Sequence, residues 1–292
     1  MASGETTSGT LADSLPSILA DARIIREHDG TWQRTTDKRT LSDGTGLNWQ
    51  EISLAQLTSS DITETTQNEN AQQIADTLLQ SEPTMTQILI KVTDRTYRKI
   101  ADVVESKMGG LAANAMGRKK NDDYLSLFSS FAATADPGAG NPLSFGHIAA
   151  AVNRIKSNTT EPSTAPVHAI LHGFQIKDLQ DEIVAGIGTF VVDSGITEET
   201  YRKGFTGTVA GANVWEDGNI TIDGAADAIG AVHSQEAVVA VSGMSIKTET
   251  RRDPSFGGGA DEIFMTDEYS FVERSSSNWA YGQTSDATAP TS

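Results

Sequence analysis

SFGHIAAAVNRIKSN at 144–158, followed after a short proline-containing loop by APVHAILHGFQIKDLQDEI at 165–183, holds the densest run of structural signals in the chain. Ser144 stands at an N-cap position, and Ile148, Val152 and Ile155 recur on one side of the turns that follow. That spacing predicts a helix closed by Asn158 and the loop TTEPSTAP. VHAILH is short, apolar and bounded by loop residues, the pattern of a core strand. From Phe174 to Val184, Ile176, Leu179 and Ile183 return to helical spacing. A helix, a strand and a helix in close succession predict the heart of a mixed α+β domain.

Upstream, Tyr97, Ile100, Val104, Met108, Leu111 and Ala115 recur at steps of three and four, with Asp94 placed to cap the start. An amphipathic helix from Asp94 to Gly117 would run about 36 Å at ~1.5 Å per residue, and Gly109-Gly110 would weaken or bend it. A second apolar segment, Tyr124, Leu125, Leu127, Phe128 and Phe131, follows Asn121 and stops at the breaker run ADPGAGNP. Before the helix, Thr31 to Val92 is rich in Thr, Gln and Asp, with Asp43-Gly44 and Gly46 as turn material. It reads as a long excursion from the body that returns through a strand at 86–92. Residues 1–30, with Pro16 inside LADSLPSILADARII, read as an arm that packs on something else.

Downstream the periodicity shifts to strands, at GTFVVD (188–193), GTVAGANVW (207–215) and EAVVAVS (236–242). Met244–Arg252 and Glu262–Val272 then read as the arms of a hairpin joined by DPSFGGGAD, with GGGA at 257–260 as its flexible tip. The segment from Ser275 is polar and reads as a loose tail. No repeat of fixed period is present, which argues against a solenoid or propeller.

Composition narrows the function. Hydrophobic residues make up 37% of the 292-residue chain, so much of it is expected to be extended and surface-lying. There is no cysteine, which excludes disulfides, thiolate nucleophiles and cysteine metal sites. No run approaches the ~18 apolar residues that cross a bilayer. The opening MASGETTSGT lacks the basic and apolar segments of a signal peptide, so a soluble protein made in a cytoplasm is expected. The formal charge of −17 is uneven, with 14 acids against 9 bases in residues 1–100, 12 against 9 in 101–203, and 13 against 4 in 204–292. Tight binding of nucleic acid needs clustered cations and is not expected. The one basic knot, Arg118, Lys119 and Lys120 beside Asp122 and Asp123, reads as a favourable helix-dipole arrangement at a helix end.

A search for chemistry leaves little. His168 and His172 share a face if VHAILH is a strand, and could in principle ligate a metal, but neither has a carboxylate at a motif spacing. His28, His147 and His233 are isolated in the sequence. DGNITID at 217–223 resembles the opening of a calcium loop, yet Ile222 sits where glycine is required and Ala228 where a bidentate Glu belongs, so it reads as a turn between strands. No phosphate-binding glycine loop and no hydrolase nucleophile elbow is present. Glu198-Glu199 and Asp261-Glu262 read as solvated surface. No catalytic, cofactor-binding or metal-ligating residue is assigned, and no cofactor is expected.

The order of elements is more telling than any motif: an arm, a long extended loop, a long helix, a mixed α+β domain and a terminal hairpin. This order resembles the major capsid protein of tailed double-stranded-DNA bacteriophages, the Hong Kong ninety-seven-like fold. The segments at 144–158 and 165–183 look like the family's helix, strand and helix in the axial domain, which commonly carries "xLHPxQxxDL"; here Gly173 replaces the proline. GTVAGANVWED looks like its "GxPVxxS" strand, and IKTETRRDPSFGGGADEIFMTDEYSFV like its peripheral hairpin. The resemblance implies an N-terminal arm at 1–30, an extended β-hairpin loop at 31–92, and a spine helix with the first part of a peripheral domain at 93–143. It further implies an axial domain at 144–234, the second part of the peripheral domain at 235–275 and a C-terminal tail at 276–292. It implies self-assembly into hexamers and pentamers of an icosahedral head enclosing DNA without sequence-specific binding, in a virion made in a bacterial cytoplasm. Scaffolding, portal and decoration proteins would be partners. Some relatives cross-link a lysine on the loop to a neighbour; Lys38 is the one lysine there before Lys91, and nothing identifies its partner. A nanocompartment shell of the same fold and an acidic enzyme are the alternatives.

Overall fold

The computed structural model describes residues 30–42, 44, 46–65, 71–99, 102–186, 207–255, 258–274 and 278–291. The arm expected at 1–30, apart from Gly30, the strand expected at 188–193, His28 and Glu198-Glu199 lie outside the described residues. The chain opens with α1 (Trp32–Thr35), β1 (Asp37–Thr40), β2 (Trp49–Leu54), β3 (Asp76–Ser81), β4 (Thr84–Thr93) and α2 (Asp94–Tyr97). There follow α3 (Asp102–Ser126), a 3-10 turn (Leu127–Ser130), α4 (Phe145–Lys156), β5 (Val167–Leu171) and α5 (Gly173–Gly186). The last elements are β6 (Thr208–Val209), β7 (Ala212–Glu216), β8 (Asp227–Ser234), β9 (Val238–Asp253), β10 (Ala260–Glu273) and β11 (Ala280–Asp286). Among the described residues the strands form a four-stranded sheet, order β1-β9-β10-β4, a five-stranded sheet, order β11-β8-β5-β7-β6, and the pair β2-β3.

The segment at 144–183 folds as its pattern dictates. β5 lies at the centre of the five-stranded sheet, parallel to β7 and antiparallel to β8, and all five of its residues are buried. Val167, Ala169 and Leu171 pack with Ile148, Val152 and Ile155 of α4 and with Ile176 and Leu179 of α5. Ile170 points to the opposite face, against Tyr124, Phe128 and Phe131. Ser144 is the N-cap of α4, and its backbone N–H donates to His147 Nδ1 at 3.3 Å, so His147 stands where a capping box places Glu or Gln. At the start of α5 a β-carbon on Gly173 would lie 2.7 Å from Glu216 Oε1, which accounts for a residue without one.

The long helix differs from its expected bounds. Thr93, not Asp94, caps α2, accepting from Thr96 N–H at 3.4 Å, and α3 runs through Gly109 and Gly110 to Ser126. The helix thus continues past the expected end at Gly117, and within it the Asn121 side chain is buried, its amide donating to Asp217 Oδ2 at 2.9 Å. The basic knot at 118–120 therefore stands inside α3: Lys119 pairs with Asp123 one turn on, and Lys120 reaches buried Asp267 at 2.5 Å. The buried stripe is Met108, Ala112, Met116 and Tyr124, while Leu111 is 48% exposed. Ala112 and Met116 pack on Met265 of β10 and on Ile88 and Ile90 of β4, laying α3 across the four-stranded sheet.

Other strand expectations are also corrected. EAVVAVS is continuous with 244–252, making β9 a single strand of 16 residues; Gly243 sits in line with it, where a β-carbon would meet Glu268 Cδ at 2.8 Å. The expected hairpin is present, with Gly258 and Gly259 at positive φ (97° and 113°) at its tip. GTVAGANVW is two strands, because Ala210 (φ 48°) and Gly211 (φ 89°) take the left-handed conformations of a two-residue turn. The tail read as loose contains β11, paired with β8 from Ala280↔His233 to Asp286↔Asp227. Gln175 reaches two of its residues, donating from Nε2 to the Gln283 backbone carbonyl at 3.2 Å and to Ser285 Oγ at 2.8 Å. The excursion expected from Thr31 begins with two elements that stay on the body. Trp32 meets Phe271 edge-on at 5.6 Å, and β1 pairs in parallel with β9 from Asp37↔Val239 to Thr40↔Ser242.

Candidate assembly surface

β2 and β3 form a ribbon that no sheet of the body extends. Their register runs from Trp49↔Ser81 to Leu54↔Asp76, and pairing continues through Ala55 N–H to the Ala75 carbonyl at 2.9 Å and Thr58 N–H to Gln72 Oε1 at 2.7 Å. At ~3.3 Å per residue, the arm from Trp49 to Thr58 spans about 30 Å. Every described residue from Ile52 to Leu78 is exposed. Ile52 and Leu78 stand directly opposite each other, and with Leu54, Leu57, Ile62 and Ile74 each leaves more than half of its surface in water. Along the shaft Gln56 Nε2 donates to the Thr160 carbonyl of the body.

The base of the ribbon is fixed to the four-stranded sheet. Arg274, just after β10, donates through Nη2 to Asp37 Oδ2 at 2.9 Å and to Glu51 Oε2 at 3.0 Å, tying β1 and β2 together. Ser81 and Ser270 share a hydroxyl hydrogen bond of 2.8 Å. Beside them, burial pushes the Glu273 carboxyl up to about 7. From Thr40 to Ile90 the chain carries seven carboxylates and no lysine or arginine. A second apolar area lies on β4: Ile88, Ile90 and Val92 turn toward α3, so Met85 (70% exposed) and Leu89 (50%) face the other way. Exposed apolar groups gathered on one protrusion form a patch of the kind found at interaction surfaces.

The residues weighed for chemistry are dispersed or bonded. His172 Nδ1 accepts from Phe174 N–H at 3.1 Å, while His168 Nδ1 accepts from Trp215 Nε1–H at 3.0 Å, so the pair is not joined on one ligand. His168 instead faces His233 across the β5–β8 ladder, an adjacency between strands that spacing within one segment could not reveal. Among the described residues no group of three His, Asp or Glu side chains is placed to hold a metal ion. DGNITID does lie between β7 and β8, and its first residue, Asp217, is fully buried. Lys38 sits on β1 over the Trp32 ring, at 5.9 Å from its centroid, and not on the ribbon. No helix among the described residues is long and apolar enough to cross a membrane.

No protein-family model matches the sequence, and no curated protein matches it. Solved structures do. The capsid asymmetric unit of cyanophage Pam1 matches with a TM-score of 0.72 over 99% of this chain and 100% of that one, at 10% identity. The chain has the fold of phage capsid proteins. The capsid of cyanophage P-SCSP1u matches with a TM-score of 0.69 over 97% of this chain and 96% of its own, at 13% identity. The capsid of Ralstonia phage GP4 matches with a TM-score of 0.69 over 94% and 95%, at 8% identity. These structures share the mixed α+β fold that the order of elements implied.

Proposed function

We propose that this chain is the major capsid protein of a tailed double-stranded-DNA bacteriophage, which assembles with its own copies, as hexamers and pentamers, into the icosahedral head of the virion. In this reading it is a structural subunit and not an enzyme. Residues 1–30 serve as an arm and 31–92 as the extended loop, with β2–β3 as its ribbon. Residues 93–143 and 235–275 form the peripheral domain around the spine helix, 144–234 the axial domain, and 276–292 the tail, whose strand completes the axial sheet. Scaffolding, portal and decoration proteins are the further partners of such a shell.

The observation that carries this reading is the ribbon: a paired, apolar-faced protrusion on which no residue from Ile52 to Leu78 is buried among those described. Burial of apolar surface is the main term that offsets chain ordering, at about 25 cal/mol per Å², and the ribbon has almost none of its own. Contact with a sister subunit supplies it. The acidic composition suits a container for DNA, since a wall rich in cations would bind phosphates and hold the incoming duplex.

Electron microscopy and sedimentation of the purified chain, with and without the double substitution Ile52→Asp and Leu78→Asp, test the proposal. The unsubstituted chain is expected to form closed particles. The variant is expected to remain as free subunits whose unfolding free energy falls by no more than about 1 kcal/mol, because both side chains are solvent-facing in the subunit and only the repulsion of the two facing carboxylates is added. A chain that stays monomeric in all conditions, or a variant that loses subunit stability while still assembling, overturns it. Particles from infected or expressing cells that enclose an enzyme cargo and no nucleic acid would favour a nanocompartment shell.

A further inference from the structure

β8, β5, α3 and the Phe128–Phe131 segment meet at the imidazole of His233, and α1 reaches it through Tyr124. His233 lies on β8 with no solvent exposure, opposite His168 of β5, whose ring centroid is 6.5 Å away. Its Nδ1 is 2.8 Å from the Ser234 carbonyl, and its Nε2 is 2.6 Å from Tyr124 Oη of α3. Tyr124 Oη is in turn 2.9 Å from Thr35 Oγ1 of α1, which lies 3.1 Å from the Thr31 carbonyl. Phe128 and Phe131 cover the rest of the ring, at 6.2 Å and 6.1 Å between centroids.

The hydrogens in this chain of contacts can be counted. A carbonyl only accepts, so His233 Nδ1–H belongs to Ser234 and the Thr35 hydroxyl hydrogen to Thr31. Tyr124 then has one hydrogen for two neighbours. Given to His233 Nε2, it leaves two oxygens facing each other at Thr35; given to Thr35, it leaves Nε2 facing a bare oxygen. The neutral network has four contacts and three hydrogens. A second proton on His233 supplies the fourth, but places a cation in a site where no carboxylate is bonded to the ring. The nearest charged groups act through intermediaries: Asp217 through Thr31 Oγ1, 2.9 Å from its Oδ2, and Glu236 through Ser163, which bonds Ser234 Oγ at 2.6 Å. Burial, reinforced by neighbouring His168 and opposed by the Ser234 carbonyl, pushes the His233 imidazole down to about 4.

We propose that His233 is an acid-operated release at the seam between α3 and the five-stranded sheet, refusing its second proton while the seam is closed and taking it when the seam opens. The proposal does not depend on shell formation. The ordinary imidazole value near 6.5 applies in the unfolded or opened chain, whereas burial in the closed seam holds it down to about 4. The closed state is therefore fully favoured above about pH 6.5 and loses ground as pH falls toward 4, by on the order of 100-fold in the ratio of closed to open.

Denaturant unfolding of the full-length, unassembled chain between pH 7.5 and pH 4.5 tests this in the wild type, His233→Gln and His168→Gln. The wild type and His168→Gln are expected to lose ten-fold or more in folding equilibrium beyond the loss shown by His233→Gln. Parallel curves for all three, or a step removed by His168→Gln and kept by His233→Gln, overturn the proposal. Should His233→Gln fail to fold, the imidazole carbon resonances of histidine-labelled His168→Gln decide. One resonance titrating at least a unit below free histidine is expected, and its absence overturns the assignment.

Discussion

At Asp217 one carboxylate accepts from Thr31 Oγ1 and Asn121 Nδ2, both at 2.9 Å on Oδ2, and from Asn219 N–H at 3.0 Å on Oδ1, with no exposure to solvent. It binds α1 and α3 to the loop between β7 and β8. Asp217→Ala leaves those buried donors without an acceptor and is expected to lower unfolding free energy by about 3 kcal/mol, read from the denaturant midpoint, whereas Asp217→Asn keeps an oxygen and costs less. The sequence placed Asp217 correctly in a turn and assigned it nothing more. Its partners Asn121 and Thr31 are 96 and 186 residues away, and no local spacing carries that information. His233 was read as isolated for the same reason, since strand pairing alone sets it beside His168.

At the scale of elements, α3 shows how a periodic pattern can name a helix and still mistake its inward face. Large apolar residues weigh most in such a reading, so Leu111 was placed in the stripe. The sheet instead receives Ala112 and Met116, with Met108 a turn earlier and Tyr124 two turns later. Met116→Ala removes a fully packed side chain and is expected to cost about 2–4 kcal/mol, while Leu111→Ala should fall within about 0.5 kcal/mol of wild type; urea titration of the two distinguishes the faces. The helix, strand and helix at 144–183 were legible because each apolar face packs within its own neighbourhood. β11 was not, because Gln283 and Ser285 look like tail residues until Gln175 is seen to bond there.

Across the whole molecule the decisive quantities are charge and unburied apolar surface. A formal charge of −17 opposes close approach of copies, while the ribbon and β4 offer apolar area that gains by contact. Surface repulsion is screened beyond about 8–10 Å near physiological ionic strength, and apolar burial is not weakened by salt. Shell yield, followed by light scattering at constant protein concentration, should therefore rise as salt is increased from roughly 20 mM to 200 mM, and rise further with divalent cations. A yield that declines over that range contradicts it. The excursion itself was legible from its Thr-, Gln- and Asp-rich composition. The docking of its first residues was not, since Trp32 and β1 meet Phe271 and β9, which lie far along the chain.

The ribbon's lack of any lysine or arginine bears on the symmetry of what it can build. Two ribbons carry the same sign and repel, so they make poor partners in a reciprocal, twofold handshake. In a shell built as proposed, each would seat on an unlike patch of the next molecule, which would give every joint a direction. Repeated joints of that kind either close into a ring, when the rotation per copy divides a full circle, or run on without end as a filament.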